Sequence, residues 1–213
     1  MRRKEFSMNE QAEVEQFLNE MTYGCLGTTG EDGWPHVTPV NYVYHQGKIY
    51  FHGSRNGQKM KHLKACKQVT FLIAKEYSLI PSYYTDPEMA CPATAYFKSV
   101  LIKGTAELVE DPVEKAGVLQ AFMSKLQPEG GYRPITAEDP EYRPRIKGVA
   151  VLAIKIMEMS AKFKFGQNLH EEVRESIITS LNSRKRELDE ETARLMRKYC
   201  PAHKDNGNDS TEA

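Results

Sequence analysis

Apolar and polar residues alternate with a period of two between residues 22 and 52. The run YGCLGTTGEDGWPHVTPVNYVYHQGKIYFHGS predicts three strands, because the tight turns GEDG and HQG divide it. Further strands are predicted in QVTFLIAK, in ATAYFKSVLIKGTAELVED and in GVAVLAIKIMEMSAKFKFG. Strands this close in sequence leave no room for helical crossovers. The pattern therefore favours an antiparallel barrel over a parallel βαβ sheet.

Two residues mark special positions within these strands. Pro39 lies inside the second strand, and proline has no amide hydrogen to give to a neighbouring strand. We therefore expect an edge or a bulge at Pro39. Gly104 interrupts a long apolar strand and predicts a bulge or a bend there.

A period near 3.6 residues predicts helices around the strands. The first covers residues 9–20, with Asn9 as its cap and an apolar face of Val14, Phe17 and Leu18. A short helix in GQKMKHLKAC places Met60 and Leu63 on the side opposite its lysines. Two more are predicted near the C-terminus, in LHEEVRESIITSLNSRK and DEETARLMRKY.

The segment DPVEKAGVLQAFMSKL predicts a central helix with Asp111 as its cap and Pro112 in its first turn. We expect its inner face to carry Val113, Ala116, Leu119 and Phe122. Two proline-containing stretches, 76–94 and 128–147, predict long irregular connections, which are often functional in compact domains.

These elements predict a mainly β protein with peripheral helices. We expect a barrel domain over residues 1–160, a helical extension over 161–200 and a disordered tail over 201–213, where apolar residues are scarce.

Composition narrows the class of protein. The 29 basic and 29 acidic side chains balance, so a general nucleic-acid binder is disfavoured. No apolar run approaches the roughly 20 residues that span a bilayer, and MRRKEFSMNE has no apolar core typical of a secretory signal. The four scattered cysteines form no disulfide framework, which predicts a reducing cytoplasm. Cys200 and His203 have a C-x-x-H spacing, but their polar surroundings disfavour a metal site.

The loop that follows the strand IYFH is the best candidate for binding chemistry. Gly53 and Gly57 allow backbone amides to converge, Lys59 begins a helix, and Arg55 could add a bidentate contact. Such a loop suits an anion such as phosphate. A solvated strand-to-helix turn is the alternative, and spacing alone favours it.

Three further side chains are ambiguous from the sequence. His52 ends an apolar strand, where a site residue and a rim histidine are equally good interpretations. Ser99 lies in the apolar strand YFKSVLIKG, where bonding to a neighbouring carbonyl is the simpler interpretation. Cys25 is better explained as a packed thiol than as a nucleophile, because no base is identifiable beside it.

Taken in order, the motifs PHVTPV, IYFHG with GQK, and SV with GTAE resemble the pyridoxamine 5′-phosphate oxidase-like flavoproteins, and within them the nitroimidazole-resistance branch. The resemblance covers roughly residues 1–160. It implies an FMN-binding split β-barrel that works as a homodimer, with the flavin in a cleft between subunits.

The resemblance also assigns roles to residues at matching positions. It implies that one strand lines the isoalloxazine, that three residues approach the ring and the ribityl phosphate, and that Ser99 lies near the flavin. The strand residues are His36, Val37, Thr38, Pro39 and Val40, and the other three are Phe51, His52 and Lys59. Gln58 stands where the vitamin B6 oxidases carry an arginine, and the C-terminal segment differs, so vitamin B6 oxidation is not expected.

The resulting prediction is a flavin-dependent oxidoreductase that passes electrons to a small acceptor such as a nitroaromatic or a quinone, without a metal site. In it His52 donates a proton or orients the acceptor, since histidine titrates near neutral pH. Two alternatives stay open: a flavin-binding sensor or storage protein without turnover, and a split barrel in which a histidine ligates haem iron.

Overall fold

The computed structural model of the chain describes residues 3–200 as seven β-strands and six α-helices. The predicted disordered tail and His203 lie outside the described residues. In chain order the elements are β1 (Ser7–Met8), α1 (Gln11–Glu20), β2 (Tyr23–Thr29), β3 (Pro35–His45), β4 (Lys48–Gly53), α2 (Gln58–Ala65), β5 (Gln68–Ile80), β6 (Thr94–Leu108), α3 (Pro112–Leu126), α4 (Tyr142–Gly148), β7 (Ala150–Lys164), α5 (Glu171–Arg184) and α6 (Asp189–Lys198).

Six of the strands close into a ring. Its order is β7-β4-β3-β2-β5-β6, and β6 pairs back with β7, while the two-residue β1 pairs with β7 outside the ring. The sheet is mostly antiparallel, so the predicted split β-barrel is confirmed. Gly104 lies where β6 approaches β7, because an added Cβ there would clash with the carbonyl oxygen of Lys155.

Contacts divide the described chain into two compact units. The barrel unit comprises residues 10–73 and 100–160, and the helical unit comprises residues 3–9, 74–99 and 161–200. Three strands, β5, β6 and β7, each continue from one unit into the other. The predicted C-terminal helices are confirmed as α5 and α6, and both belong to the helical unit.

Helix α3 covers the core of the barrel unit. The cap prediction is confirmed, since the Asp111 carboxylate accepts a hydrogen bond from the backbone amide of Glu114 at 2.8 Å. The predicted inner position of Val113 is wrong, because its side chain is 61% exposed in the first turn, before the buried face begins. The buried cluster consists of Val43, Tyr50, Val109, Val118, Phe122 and Val151.

Two predicted boundaries are corrected by the structure. Helix α1 begins after Glu10 rather than Asn9, whose side-chain oxygen accepts a hydrogen bond from the Ser7 hydroxyl instead. Strand β5 continues to Ile80 through part of the stretch predicted to be irregular, because Tyr77, Ser78 and Ile80 are buried.

Helix α4 forms within the second stretch that was predicted to be irregular. Its Pro144 falls in the first turn, where proline costs no hydrogen bond. The carboxylate of Asp139 accepts bonds from the amides of Glu141 and Tyr142, at 2.8 and 3.3 Å, and so organises the approach to the helix.

Two further features concern the helices and the cysteines. Within residues 3–200 no helix is long and apolar enough to cross a bilayer. The four cysteines, Cys25, Cys66, Cys91 and Cys200, are all free thiols.

Candidate functional site

The loop between β4 and α2 brings a lysine back onto the end of its own strand. The ammonium of Lys59 lies 6.0 Å from the centre of the Phe51 ring. A Cβ added to Gly53 would lie 2.9 Å from the Lys59 Nζ, so the lysine folds closely over the backbone there. The glycine therefore provides the space that the Lys59 side chain occupies.

Helix α2 begins without a side-chain cap. Its N-cap is Gly57, whose carbonyl accepts the amide hydrogen of Met60 at 3.0 Å. Among residues 3–200, no carboxylate lies within ion-pair distance of Lys59. An uncapped helix start beside an unneutralised ammonium is electrostatically suited to an anion.

Arg55, the other cation of the loop, is engaged elsewhere. Its Nη2 donates to the carbonyl oxygen of Lys147, in the last turn of α4, at 3.0 Å. This bond satisfies an otherwise free carbonyl at the helix end and holds the guanidinium there. In this arrangement Lys59, rather than Arg55, is the loop cation directed to the glycine backbone.

His52 lies beside this loop at the end of β4. Its ring packs edge-to-face on Phe122 of α3, with 4.8 Å between centroids and an interplanar angle of 80°. The side chain is exposed at one edge, but partial desolvation where the ring packs on Phe122 lowers the pKa of His52 below its usual value, and the charge of Lys59 lowers it further. The imidazole is therefore mainly neutral at pH 7, with one nitrogen able to donate and the other able to accept.

Phe51 precedes His52 in β4, and its side chain points the other way. The ring is 0% exposed. The Lys59 ammonium lies on the Phe51 side of β4, whereas the His52 side chain lies on the other side. Lys59 and His52 are close enough for their charges to interact, but they do not share one face of the strand.

Strand β3, which carries the other predicted flavin contacts, is paired unequally on its two sides. Its register with β2 covers every position from Pro35 to Asn41, whereas its register with β4 covers only Tyr42 to His45. Pro39 lies in the part that β4 does not cover, so the predicted edge at this proline is confirmed. One side of the backbone here is free of a neighbouring strand.

Side chains of β3 alternate between two environments. Val37 is 68% exposed and lines a groove of about 700 Å³ on the barrel unit, together with Cys25. Thr38 is half-buried and Val40 is buried on the alternate face. The predicted ring contacts of β3 therefore do not share one surface. Other residues that line the groove include Gly27, Thr29, Pro35, Thr70, Leu72, Leu101, Lys103, Met157 and Glu158.

His36 belongs to a polar cluster that the sequence analysis missed. Its ring lies 4.4 Å from that of His62, and its Nε2 lies 3.3 Å from the Asp32 Oδ1. His62 is buried, and its Nδ1 lies 3.0 Å from the Thr28 hydroxyl. The sequence signal that could have revealed this cluster is the position of His62, next to Leu63 on the apolar face of α2.

Helix α2 thus connects the two groups of candidate residues in the barrel unit. Lys59, in the first turn of the helix, is close enough to His52 of β4 to affect its pKa. His62, three residues later in the helix, lies against His36 of β3. Ser99 is half-buried on β6 and belongs to the helical unit.

The chain matches the sequence profile of the pyridoxamine 5′-phosphate oxidase family over residues 10–163. No curated protein sequence matches it.

Solved structures share the fold at low identity. The flavocytochrome Anf3 from Azotobacter vinelandii is 26% identical, with a TM-score of 0.62 and coverage of 76% of this chain and 70% of that one. A candidate 5-nitroimidazole antibiotic resistance protein from Bacteroides thetaiotaomicron is 21% identical, with a TM-score of 0.59 and coverage of 73% and 85%. The FAD and heme binding protein from Mycobacterium smegmatis is 16% identical, with a TM-score of 0.61 and coverage of 76% and 74%.

Proposed function

Because this chain belongs to the pyridoxamine 5′-phosphate oxidase family, we propose that it binds FMN and acts as an oxidoreductase toward a small acceptor such as a nitroaromatic or a quinone. The observation that carries the proposal is the unneutralised ammonium of Lys59, folded over the Gly53 backbone at an uncapped helix start. That arrangement is complementary to a phosphate dianion. The flavocytochrome at 26% identity supports a flavin as the cofactor.

In this proposal the loop holds the phosphate end of FMN. Lys59 gives a charge-assisted contact, and the first amides of α2 give uncharged donors. The missing side chain at Gly53 leaves the Lys59 Nζ close to the backbone, so the cation and the amides can address the same oxygens.

The exposed backbone of β3 is suited to the polar edge of the flavin ring. Positions 36–40 lack β4 as a neighbour, so their amides and carbonyls on that side are available. Backbone contacts of this kind explain why Val37, Pro39 and their neighbours can serve one ligand although their side chains alternate. Ser99, on β6, remains a predicted contact.

The bound flavin supplies the electron-transfer chemistry, and the protein residues position it and the acceptor. At pH 7 the neutral His52 can orient an acceptor by donating a hydrogen bond from one ring nitrogen. Its packing on Phe122 fixes the ring at the end of β4. A protonated fraction, which grows as the pH falls, can supply a proton to the acceptor.

A homodimer with the flavin between subunits completes the proposal. The groove beside Val37 supports it, because Met157, Leu72 and Leu101 also expose apolar surface there. Contiguous exposed apolar surface is typical of protein interfaces.

Sedimentation velocity is expected to show that the protein is a dimer. Val37→Lys is expected to shift the protein toward monomer, whereas Val113→Lys on α3 is expected to leave the dimer unchanged.

Two measurements test the function. The purified protein is expected to show flavin absorbance in the blue and to release FMN, rather than FAD, on denaturation. A Soret band in its place would support the haem alternative. Turnover of a nitro compound or a quinone with a reduced nicotinamide separates an enzyme from a flavin-binding sensor. A reducing, cytoplasmic setting is part of the proposal, and the four free thiols support it.

A further inference from the structure

A second cavity lies within the helical unit, and the charged side chains that line it are all positive. Its volume is about 470 Å³. Three cationic side chains line it, Arg3 from the N-terminal segment and Lys162 and Lys164 from β7, and no acidic side chain does. The other lining residues include Phe6, Phe97 and Leu169, although polar groups provide the larger part of the surface open to the cavity.

Aromatic rings hold two of the cations near each other. The Arg3 guanidinium carbon lies 6.0 Å from the centre of the Phe6 ring, and the Lys162 ammonium lies 5.6 Å from the same centre. Lys162 also lies 5.3 Å from the centre of the Phe97 ring. Contacts with ring faces attract a cation without neutralising it. The positive charge of this part of the cavity is therefore positioned and retained.

The third cation, Lys164, is on the same face of β7 as Lys162, two residues away. It donates a hydrogen bond to the Thr94 hydroxyl. Burial lowers the pKa of Lys164, and the charges of Lys162 and Arg3 lower it further. Within residues 3–200, none of the three cations has a carboxylate at ion-pair distance. Their mutual repulsion favours the uptake of an anion.

The turn that follows the two lysines is specifically built. Gly166 has a φ of +78°, and a Cβ there would lie 2.6 Å from the Tyr96 hydroxyl. The Gln167 side chain accepts from the Phe165 amide at 2.8 Å and donates to the Phe163 carbonyl at 2.6 Å. These contacts fix the end of β7, so the stretch KFKFGQN presents its lysines from a rigid support.

We propose that this cavity binds a small organic dianion. Three cations without a carboxylate partner favour a ligand with two negative charges over one with a single charge, and the side chains of Thr94 and Asn168 add polar groups to the same wall. The volume of 470 Å³ lies in the range of small-molecule sites, and it exceeds what a bare inorganic ion needs. The site lies in a different unit from the loop of Lys59.

The test titrates the full-length protein, saturated with FMN, by calorimetry. The probes are phenyl phosphate and phthalate as two sources of a dianion, benzoate as a monoanion and benzyl alcohol as an uncharged control. Both dianions, or one of them, are expected to bind more tightly than benzoate, and benzyl alcohol least. The affinity is expected to fall as salt is added, because screening weakens the cationic attraction.

Substitutions of the two lysines test whether the dianion binds in this cavity. Lys162→Met combined with Lys164→Met is expected to weaken the favoured dianion by about tenfold or more, since two charge-assisted contacts are lost. Lys155→Met, an exposed lysine on the same strand but outside the cavity, is expected to change nothing. Equal binding of dianions and benzyl alcohol, release of FMN by the dianion, or an unchanged affinity in the double variant would each overturn the proposal. The probe series on the wild type decides the question even if the double variant does not fold.

Discussion

Arg184 in the helical unit and Lys59 in the barrel unit are cations in opposite circumstances. Arg184 donates to Asp189 from Nε at 2.8 Å and from Nη2 at 2.6 Å, and its Nη1 donates to the Leu79 carbonyl at 2.9 Å. Lys59 has no such carboxylate among the described residues and folds over a glycine at a helix start. A cation whose donors are satisfied within the chain stabilises the fold, whereas one left unsatisfied beside backbone amides is available to a ligand.

The Asp189 carboxylate has hydrogen-bond donors other than Arg184. The carboxylate also accepts from the Ser78 hydroxyl at 2.7 Å and from the Arg186 amide at 2.9 Å. Hydrogen bonding from Arg184, followed by that from Ser78 and Arg186, lowers the pKa of Asp189 to about 2 against the opposing effect of burial. This network ties α5 and α6 to β5 within the helical unit.

The largest effect is expected from Asp189→Ala. The substitution leaves the Arg184 guanidinium, which is only 14% exposed, without its partner. Breaking a buried ion pair from one side costs about 3–5 kcal/mol of unfolding free energy. Urea denaturation measures it. The control is Glu175→Gln, which removes an exposed pair with Arg197 and is expected to cost less than about 1 kcal/mol.

The acid dependence of stability checks the same pair. A carboxyl group with a pKa lowered from 3.8 to about 2 contributes stability that is present above pH 4 and is lost as the pH falls towards 2. Asp189→Asn is expected to remove this component of the acid unfolding curve. An unchanged curve in that variant would show that other carboxyl groups control acid unfolding.

His52→Ala tests the opposite kind of group, one directed at a ligand. It is expected to slow reoxidation of the protein's reduced flavin by a nitro compound or a quinone by about 10²–10⁴-fold. The FMN affinity is expected to fall only modestly, because Lys59 and the loop amides remain. Stopped-flow absorbance gives the rate and fluorescence titration gives the affinity. His45→Ala, at the far end of β3, is the matched control. Loss of FMN with an unchanged reoxidation rate would make His52 a cofactor ligand instead.

Lys59→Met tests the proposed phosphate contact of the cofactor. Loss of a charge-assisted bond to phosphate, worth roughly 1.5–3 kcal/mol, is expected to weaken FMN by about 10- to 150-fold. Stability is expected to change little, since Lys59 has no ion pair to lose. Lys61→Met on the exposed side of α2 is the control. If Lys59→Met binds FMN like the wild type at low salt, the phosphate contact has been misplaced.

Features that depend on nearby residues could be predicted from the sequence. Barrel strands and the Asp111 cap follow from local patterns, because alternation and capping residues act within a few positions. The strand edge at Pro39 is predictable for the same reason. Proline has no amide hydrogen to donate to a neighbouring strand, and this holds whatever the rest of the fold.

Groups whose partners are distant in sequence were not predictable. His62 approaches His36 across 26 residues of chain, and Asp189 meets Ser78 across more than one hundred. No local period encodes such pairs, because strand register and helix packing create them. For the same reason the sequence could not show that Arg55 is held by the end of α4 while Lys59 is not.

The smallest expected effect is a change in the titration of His52 when FMN binds. In the free protein burial and then the charge of Lys59 lower the pKa of this ring. A phosphate dianion beside Lys59 offsets that charge, so the pKa of His52 is expected to rise, by less than about one unit. Because the protonated ring then favours the bound state, FMN affinity is expected to increase slightly as the pH falls through this range, by less than about tenfold. NMR titration of the imidazole protons with and without FMN measures the shift directly. A pKa that falls on binding would mean that the flavin ring buries His52 more than its phosphate offsets Lys59, which would place the ring, rather than the phosphate, beside the loop.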